Sequence, residues 1–378
     1  MEGPRALKPE ELPALVRLCN LVFRADGGDM GREFAYYLNR NNANRLRVFT
    51  EGGEVLAHCG YRRYDAAIFG VRVVIACIGA VATHPERRGQ GLATRLFADC
   101  VAAMRAEGAD FAMISGGRDL YSRNAAVAAG RDREFLFRAG ATGAARSGVT
   151  VGQAGPADAP GLAALYRAEA VRFLRPPGDW ADILAGRPCM NRPAKLLVLR
   201  RGGQLVAYVA ARLPARKDPP GAAQLLGEFA GCRRTLVEAL PAVAAAGTLP
   251  ALSIHVAGWD STLAAELSAR GLESVAAPGI GGTVKLVNLP QLLARLEVLM
   301  VERAGARAGK VVAKESGGKL AFCLDAERLE LAEADACRVV FGAPDGSEKT
   351  LLEGRGELGR VLGAALPLEL PWYGYDYI

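Results

Sequence analysis

Histidine is scarce in this 378-residue chain, with three copies, and none stands at metal-ligand spacing from a cysteine except His58, beside Cys59. The eight cysteines occur singly, at 19, 59, 77, 100, 189, 232, 323 and 337, with no Cys-x-x-Cys pair. Neither a metal centre nor a disulfide framework is expected, and single cysteines on apolar faces suit reduced, buried thiols. No apolar run reaches the ~20 residues of a membrane-crossing helix, and the opening MEGPRALK contains no signal-peptide core. A cytoplasmic protein without a membrane partner is the expectation. A basic block interleaved with aromatics is missing too: the net charge of +7 is dispersed along the chain, largely as arginine. That distribution suits a solvated surface with some attraction for anions, not a nucleic-acid track.

What the chain does have is enough apolar material for ordinary cores, 51% hydrophobic against 23% charged residues. Its length predicts two or three domains. One stretch, residues 81–96, organises the rest. An apolar, β-branched run at 71–81 predicts a strand, and Leu92, Leu96, Phe97, Cys100, Val101 and Met104 recur on one face of a helix. Between them lies Arg88-Gly89-Gln90-Gly91-Leu92-Ala93. Glycines where backbone approaches closely, followed at once by a helix N-terminus, make an anion site of unpaired N–H groups backed by the helix dipole. Arg87 and Arg88 add charge suited to phosphate oxygens. A pyrophosphate ligand is predicted. The loop is not a P-loop, since no Gly-Lys-Ser/Thr follows, and it lacks the Gly-x-Gly-x-x-Gly spacing of a dinucleotide fold.

With a strand before it, Thr83-His84-Pro85 at its start, a helix after it and a second strand at 111–115, the pattern Arg88-x-x-Gly91-x-Ala93 resembles the acetyl-CoA loop of GNAT N-acetyltransferases. The resemblance implies an α/β fold with a mixed central sheet flanked by helices. It also implies acetyl-CoA as co-substrate, held by Arg87, Arg88, Gly89, Gln90, Gly91, Ala93 and Thr94 and by backbone near Val81 and Thr83. In that family the central strand and its parallel neighbour splay apart to admit the thioester. Many members carry a glutamate base on the central strand, but residues 75–81 here contain no carboxylate or histidine. The segment Tyr121-x-Arg123-x-Ala125 resembles the one after the splay, with alanine where glycine is usual. By that resemblance Tyr121 is the general acid that protonates the departing thiolate. Asp26 and Asp29 fall on the implied acceptor side, where they either receive an amine or cap a helix. Cys77 has no basic neighbour in sequence to activate it, so direct transfer without a covalent enzyme intermediate and without metal is expected.

The remainder of the chain predicts two further units. A small, flexible stretch around 139–148, after a strand at 135–137, suggests a boundary and divides the chain into 1–146, 147–286 and 287–378. The second unit repeats the first: Pro156 and Asp158 echo Pro9 and Glu10, the 201–204 hairpin echoes that at 51–54, and a strand at 225–231 leads directly into a helix. Its phosphate loop is missing, so one CoA site per chain is expected. Glu228 is expected to pair with an arginine and His255 to sit on a core or edge strand. The third unit predicts a helix at 289–301, strands near 310–313, 319–324, 328–331 and 338–341, and a helix at 351–362. Two acetyltransferase-like units with a C-terminal sterol-carrier-protein-like domain resemble the enhanced-intracellular-survival (Eis-like) group, which implies a homo-oligomer, a hexamer by that resemblance. The chain ends in an aromatic run, 372–378, that is costly to leave in water. In the resembling group the terminal carboxylate, here that of Ile378, enters the first cleft and helps deprotonate the acceptor; the alternative is that the ending packs within the third unit. Asp376 is a candidate for amine recognition. The expected activity is acetylation of a primary amine on a small molecule or peptide. A silent CoA-binding sensor and a lipid carrier built on the third unit are the rival readings.

Overall fold

A computed structural model describes residues 1–140, 148–277 and 279–378. Its mixed α/β architecture has two large sheets and one small one, each flanked by helices. The central strand Val71–Thr83 explains its own composition. Val73, Ile75 and Cys77 join the core on one face, while Val74, Ala76 and Ile78 join the core on the other. Both faces are buried, so the strand reads as a continuous apolar run instead of an alternating one. Each of the valines and isoleucines among them contributes roughly 1.5–3 kcal/mol of burial.

The helix Leu92–Ala106 covers one face through Leu96, Phe97 and Cys100. The helix Leu12–Phe23 and the C-terminal region, with Leu292, Leu296, Phe322 and Phe341, cover the other. The third region thus shares a core with the first sheet and is not tethered beside it. Asp110, fully buried, reinforces that joint. Its carboxylate accepts from the Val74 N–H at 2.7 Å, from Gln291 Nε2 at 2.7 Å and from Arg295 Nε at 3.1 Å.

In the first sheet the strands run in the order Glu2–Ala6, Leu46–Glu51, Glu54–Ile68, Val71–Thr83, Phe111–Ile114, Thr283–Leu286, Val127–Ala128, and Val171–Phe173 joins off this path by pairing with the end of Glu54–Ile68. In the second the order is Val149–Gln153, Ala194–Arg201, Gln204–Arg212, Gln224–Gly231, Ala251–Val256, Arg133–Arg138, Ser274–Ala276. Position by position, antiparallel neighbours match, and the one parallel pair, at the centre, occupies the same place in each. The hairpin turns match as well: Gly52 and Gly53 have φ of 58° and 83°, Gly202 and Gly203 of 56° and 83°. Two consecutive positive φ values define a tight turn that glycine enters without strain.

Besides the short strand Val171–Phe173, which the second stretch of chain lends to the first sheet, the sheets exchange one strand reciprocally. Thr283–Leu286, late in the chain, lies between Phe111–Ile114 and Val127–Ala128 in the first sheet. Arg133–Arg138 takes the equivalent place in the second, against Ala251–Val256. The strand at 135–137, expected to close the first unit, therefore belongs to the second sheet. The boundary expected at 146 falls on residues 141–147, outside the described residues.

Other local expectations need correcting. Residues 338–341 end the helix Glu333–Phe341 and are not a strand. After the turn at 26–29 the chain forms a single helical turn, Met30–Glu33. The strand Glu54–Ile68 runs well past residue 61, carrying Arg62, Arg63 and Asp65. All eight cysteines are free. Among the described residues, no helix is long and apolar enough to cross a membrane and no His/Cys/Asp/Glu group could hold a metal ion.

Candidate active site

The central strand pairs in parallel with Phe111–Ile114 only from Ile75 to Ile78, opposite Phe111 to Ile114. Beyond Ile78 the two part. On the other edge the register against Glu54–Ile68 shifts between His58 and Gly60, and Ala80 adopts a left-handed φ of 52°. This bulge bends the strand and leaves backbone unpaired beside the gap, a device often found at active sites.

Residues 377 and 378 fill the closed end of the gap. A Cβ on Gly79 would stand 2.4 Å from the carboxyl carbon of Ile378, so glycine is required here by close approach. Ser115 Oγ donates to the Ile378 carboxyl oxygen at 2.9 Å, the Tyr36 hydroxyl donates to the Tyr377 carbonyl, and the Tyr64 hydroxyl donates to the Asp376 carbonyl at 3.2 Å. The strand segment without a carboxylate side chain is adjacent to the backbone of Ile378.

Upstream, the C-terminal run is clamped by charge. Arg175 Nη1 and Nη2 donate to Glu228 at 3.1 and 2.8 Å, and Nη2 also reaches Asp376 Oδ2 at 2.8 Å. The three side chains are 1%, 6% and 1% exposed. The Arg175 guanidinium lies 4.0 Å from the Tyr166 ring centroid, and Trp372 Nε1 donates to the Gly227 carbonyl at 2.7 Å. A buried cation between two carboxylates is well satisfied only as a set. Asp376, a candidate for amine recognition, is thus committed to Arg175 and lines neither cavity on this side of the molecule. Glu228 has its arginine, and His255, on the strand Ala251–Val256, contacts Asp132 at 2.7 Å and stacks on Trp372.

A cavity of about 180 Å³ opens from the gap, lined by Gly79, Ala80, Val81, Ser115, Tyr121 and Ile378 among others. Tyr121 sits on the short helix Asp119–Ser122, its ring 5.9 Å from that of Phe97. Burial, more than the neighbouring Cys59 thiol, pushes its phenol up to about 12, so it stands protonated at neutral pH. Cys77 and Cys100, buried in the cores, are pushed well above the usual thiol range by the same cause. Buried neutral thiols are poor nucleophiles.

The loop lies at the open side. Gly89 and Gly91 have φ of 78° and 72°, and nothing lies within 4 Å of a Cβ at either position. Gly91 is the N-cap of Leu92–Ala106, whose first turn has no side-chain cap, and the first helical bond runs from the Arg95 N–H to the Gly91 carbonyl at 3.2 Å. Among the described residues, the N–H groups of residues 89–94 have no hydrogen-bond partner, so Gln90, Ala93 and Thr94 present backbone donors with the glycines. That set fits a pyrophosphate. Arg88 is exposed and unpaired, whereas Arg87 is turned to Glu51 at 2.6 Å. Thr83 ends the central strand, and the Val81 carbonyl is 3.5 Å from Arg118 Nη1.

Of the acceptor-side candidates, Asp29 caps Met30–Glu33 by accepting from the Gly31 N–H at 2.9 Å, while Asp26 lies exposed on the wall of a second, larger cavity. The gap thus brings together the loop, Val81, Tyr121 and Ile378. Sequence reasoning missed Tyr36, Tyr37, Tyr64 and Ser115. Tyr36-Tyr37 lies in the apolar run Phe34-Ala35-Tyr36-Tyr37-Leu38, and the hydroxyls such a run would bury were a usable signal. Tyr37, fully buried, lies 3.1 Å from both the Gly79 carbonyl and His58 Nε2 and so holds the bulge from beneath.

Residues 4–123, which carry the loop and the splayed strands, match the family model described as acetyltransferase (GNAT) domain. No curated protein matches the sequence. Solved structures match over nearly the whole length. A GCN5-related N-acetyltransferase from Kribbella flavida is 16% identical with a TM-score of 0.64, covering 99% of this chain and 97% of its own. A GCN5-related N-acetyltransferase from Anabaena variabilis is 13% identical with a TM-score of 0.69, covering 97% and 98%. Eis1 from Mycobacterium abscessus is 14% identical with a TM-score of 0.64, covering all of both chains. At these identities the likeness is one of fold, and it extends through all three sheets.

Proposed function

We propose that the protein is an N-acetyltransferase that moves the acetyl group of acetyl-CoA to a primary amine of a small molecule or peptide by direct attack. The observation that carries this reading is the gap between the central strand and Phe111–Ile114, with unpartnered N–H groups at its mouth and Tyr121 beside the Ile378 carboxyl group within. The N–H groups of residues 89–94 hold the pyrophosphate, with Arg88 adding charge. Acetyl-CoA, when bound, supplies the acyl group as a thioester. The carboxyl group that Ile378 carries takes the proton from the incoming ammonium and leaves a neutral amine. As the carbon–sulfur bond breaks, the Tyr121 phenol gives its proton to the departing sulfur and regains one from the attacking nitrogen as that becomes an amide, a role typically worth 10²–10⁴ in rate. The second sheet, without a phosphate loop, is read as a degenerate copy of the first, and the C-terminal region as sterol-carrier-protein-like.

Thiol release from acetyl-CoA against a panel of amines tests the reading. Tyr121→Phe should lower amine-dependent turnover by about a hundredfold while CoA binding stays intact. Extending the chain by two residues beyond Ile378 should have a comparable effect, because it removes the carboxylate from its place beside Gly79. Full turnover in both variants would overturn the two assigned roles, and CoA binding without turnover of any amine would point to a sensor.

A further inference from the structure

The cavity that holds Tyr121 continues into a larger one of about 1070 Å³, with Phe23, Arg24, Asn191 and Tyr377 lining both. The charge on this second wall is unbalanced. Arg24 is held by Glu33 at 2.9 Å, and Arg192 by Asp218 at 2.5 Å. Arg212, Arg216 and Lys217 remain, and none of the three has an ion-pair partner among the described residues. Asp26 is the one lining carboxylate left unpaired.

The three cations are not equivalent. Arg216 and Lys217 are exposed on the loop after the strand Gln204–Arg212, whereas Arg212 is the last residue of that strand and only partly exposed. Its Nε is shielded from solvent and has no hydrogen-bond partner. Burial and the nearby Arg192 guanidinium push its basicity down. The shielded Nε is not what a ligand would meet; Arg212 lines the cavity without an ion-pair partner among the described residues, and a partly buried charge of that kind favours an anion that enters. The planar fork of arginine matches a carboxylate with two parallel bonds.

We propose that Arg212, assisted by Arg216 and Lys217, forms an anion subsite on the acceptor side, so that the amine acetylated also bears a carboxylate, as an amino acid or short peptide does. The assignment rests on the acyl-transfer reading and narrows its acceptor. A polycationic amine would meet a wall with a surplus of positive charge. An amine with a carboxylate at its far end would be oriented, its carboxylate on Arg212 and its nitrogen toward Ile378.

Matched acceptors test it: leucine against leucinamide, and glycyl-leucine against glycyl-leucinamide, with spermidine as the polycation. The free acids should exceed their amides in kcat/KM by roughly tenfold or more, the scale of one charge-assisted contact. Arg212→Gln should erase that preference by lowering kcat/KM for the free acids toward that of their amides, and Arg212→Lys should restore part of it. Preference for the amides or spermidine, or an acid preference that survives Arg212→Gln, would overturn the subsite. If no amine is acetylated, the acyl-transfer reading fails separately, and calorimetric titration with glycyl-leucine decides the subsite. Binding that is lost in Arg212→Gln supports it, and absence of binding to the unmodified protein overturns it.

Discussion

The tight contact between Gly79 and Ile378 depends on a layer of residues that never touches the cavity. Tyr37 and His58 lie beneath the bulge, both fully buried, and the His58 ring donates from Nδ1 to the Arg47 carbonyl at 3.1 Å while Nε2 meets the Tyr37 hydroxyl. Burial pushes His58 from 6.5 down to about 4, with the bond to Arg47 opposing the shift. The unfolded chain therefore takes up this proton first as the pH falls, and the folded state loses stability between about 6.5 and 4. Through this one group the protein should be about 2 kcal/mol less stable at pH 5 than at pH 7. Urea unfolding of the native chain and His58→Gln at both pH values measures it. The difference between the two pH values should shrink by about that amount in the variant, and an unchanged difference would show that His58 is not the sensitive group.

The loop and the helix that follows it form the element on which CoA binding turns. Gly91 holds a left-handed backbone with open space where a side chain would stand. Gly91→Ala should cost about 1–2 kcal/mol in conformation and cause no clash. The strain on the left-handed backbone would shift the N–H groups on either side of it, so affinity for CoA should fall by at least about tenfold, more than the stability change accounts for. Calorimetric titration with CoA alongside a thermal melt separates the two effects, and unchanged affinity would move the pyrophosphate elsewhere. This element was legible in the sequence because strand, glycines, N-terminus and apolar helix face are all local. Residues 338–341 misled for the opposite reason: a short apolar run fits a buried strand or the end of a helix. The acidic residues at 333 and 335, in the first turn of Glu333–Phe341, were the helix signal to weigh. The length of Glu54–Ile68 was hidden because Arg62, Arg63 and Asp65 interrupt its apolar pattern. Their partners, such as Asp179 for Arg62 and Arg72 for Asp65, are set by tertiary structure or lie across the hairpin.

At the scale of the whole molecule the reciprocal exchange of strands links units that the sequence order suggests are separate. No local pattern announces that Thr283–Leu286 belongs beside Phe111–Ile114, since the pairing depends on a contact far along the chain. The site has the same character, for the loop, Tyr121 and Ile378 meet only when all three regions are folded. Residues 1–146 alone would leave Phe111–Ile114 without its neighbour on one edge, the core around Phe111 and Met113 without Leu292, Leu296 and Phe341, and Arg133–Arg138 without its sheet. An exposed strand edge and an uncovered apolar face favour aggregation over a folded state. The fragment 1–146 should therefore fail to unfold cooperatively in urea and should not bind CoA, while its co-expression with 147–378 should recover both properties in a stable complex. Circular dichroism and titration with CoA decide this. A fragment that unfolds cooperatively and binds CoA by itself would mean that the exchanged strand and the shared core are dispensable for the first sheet.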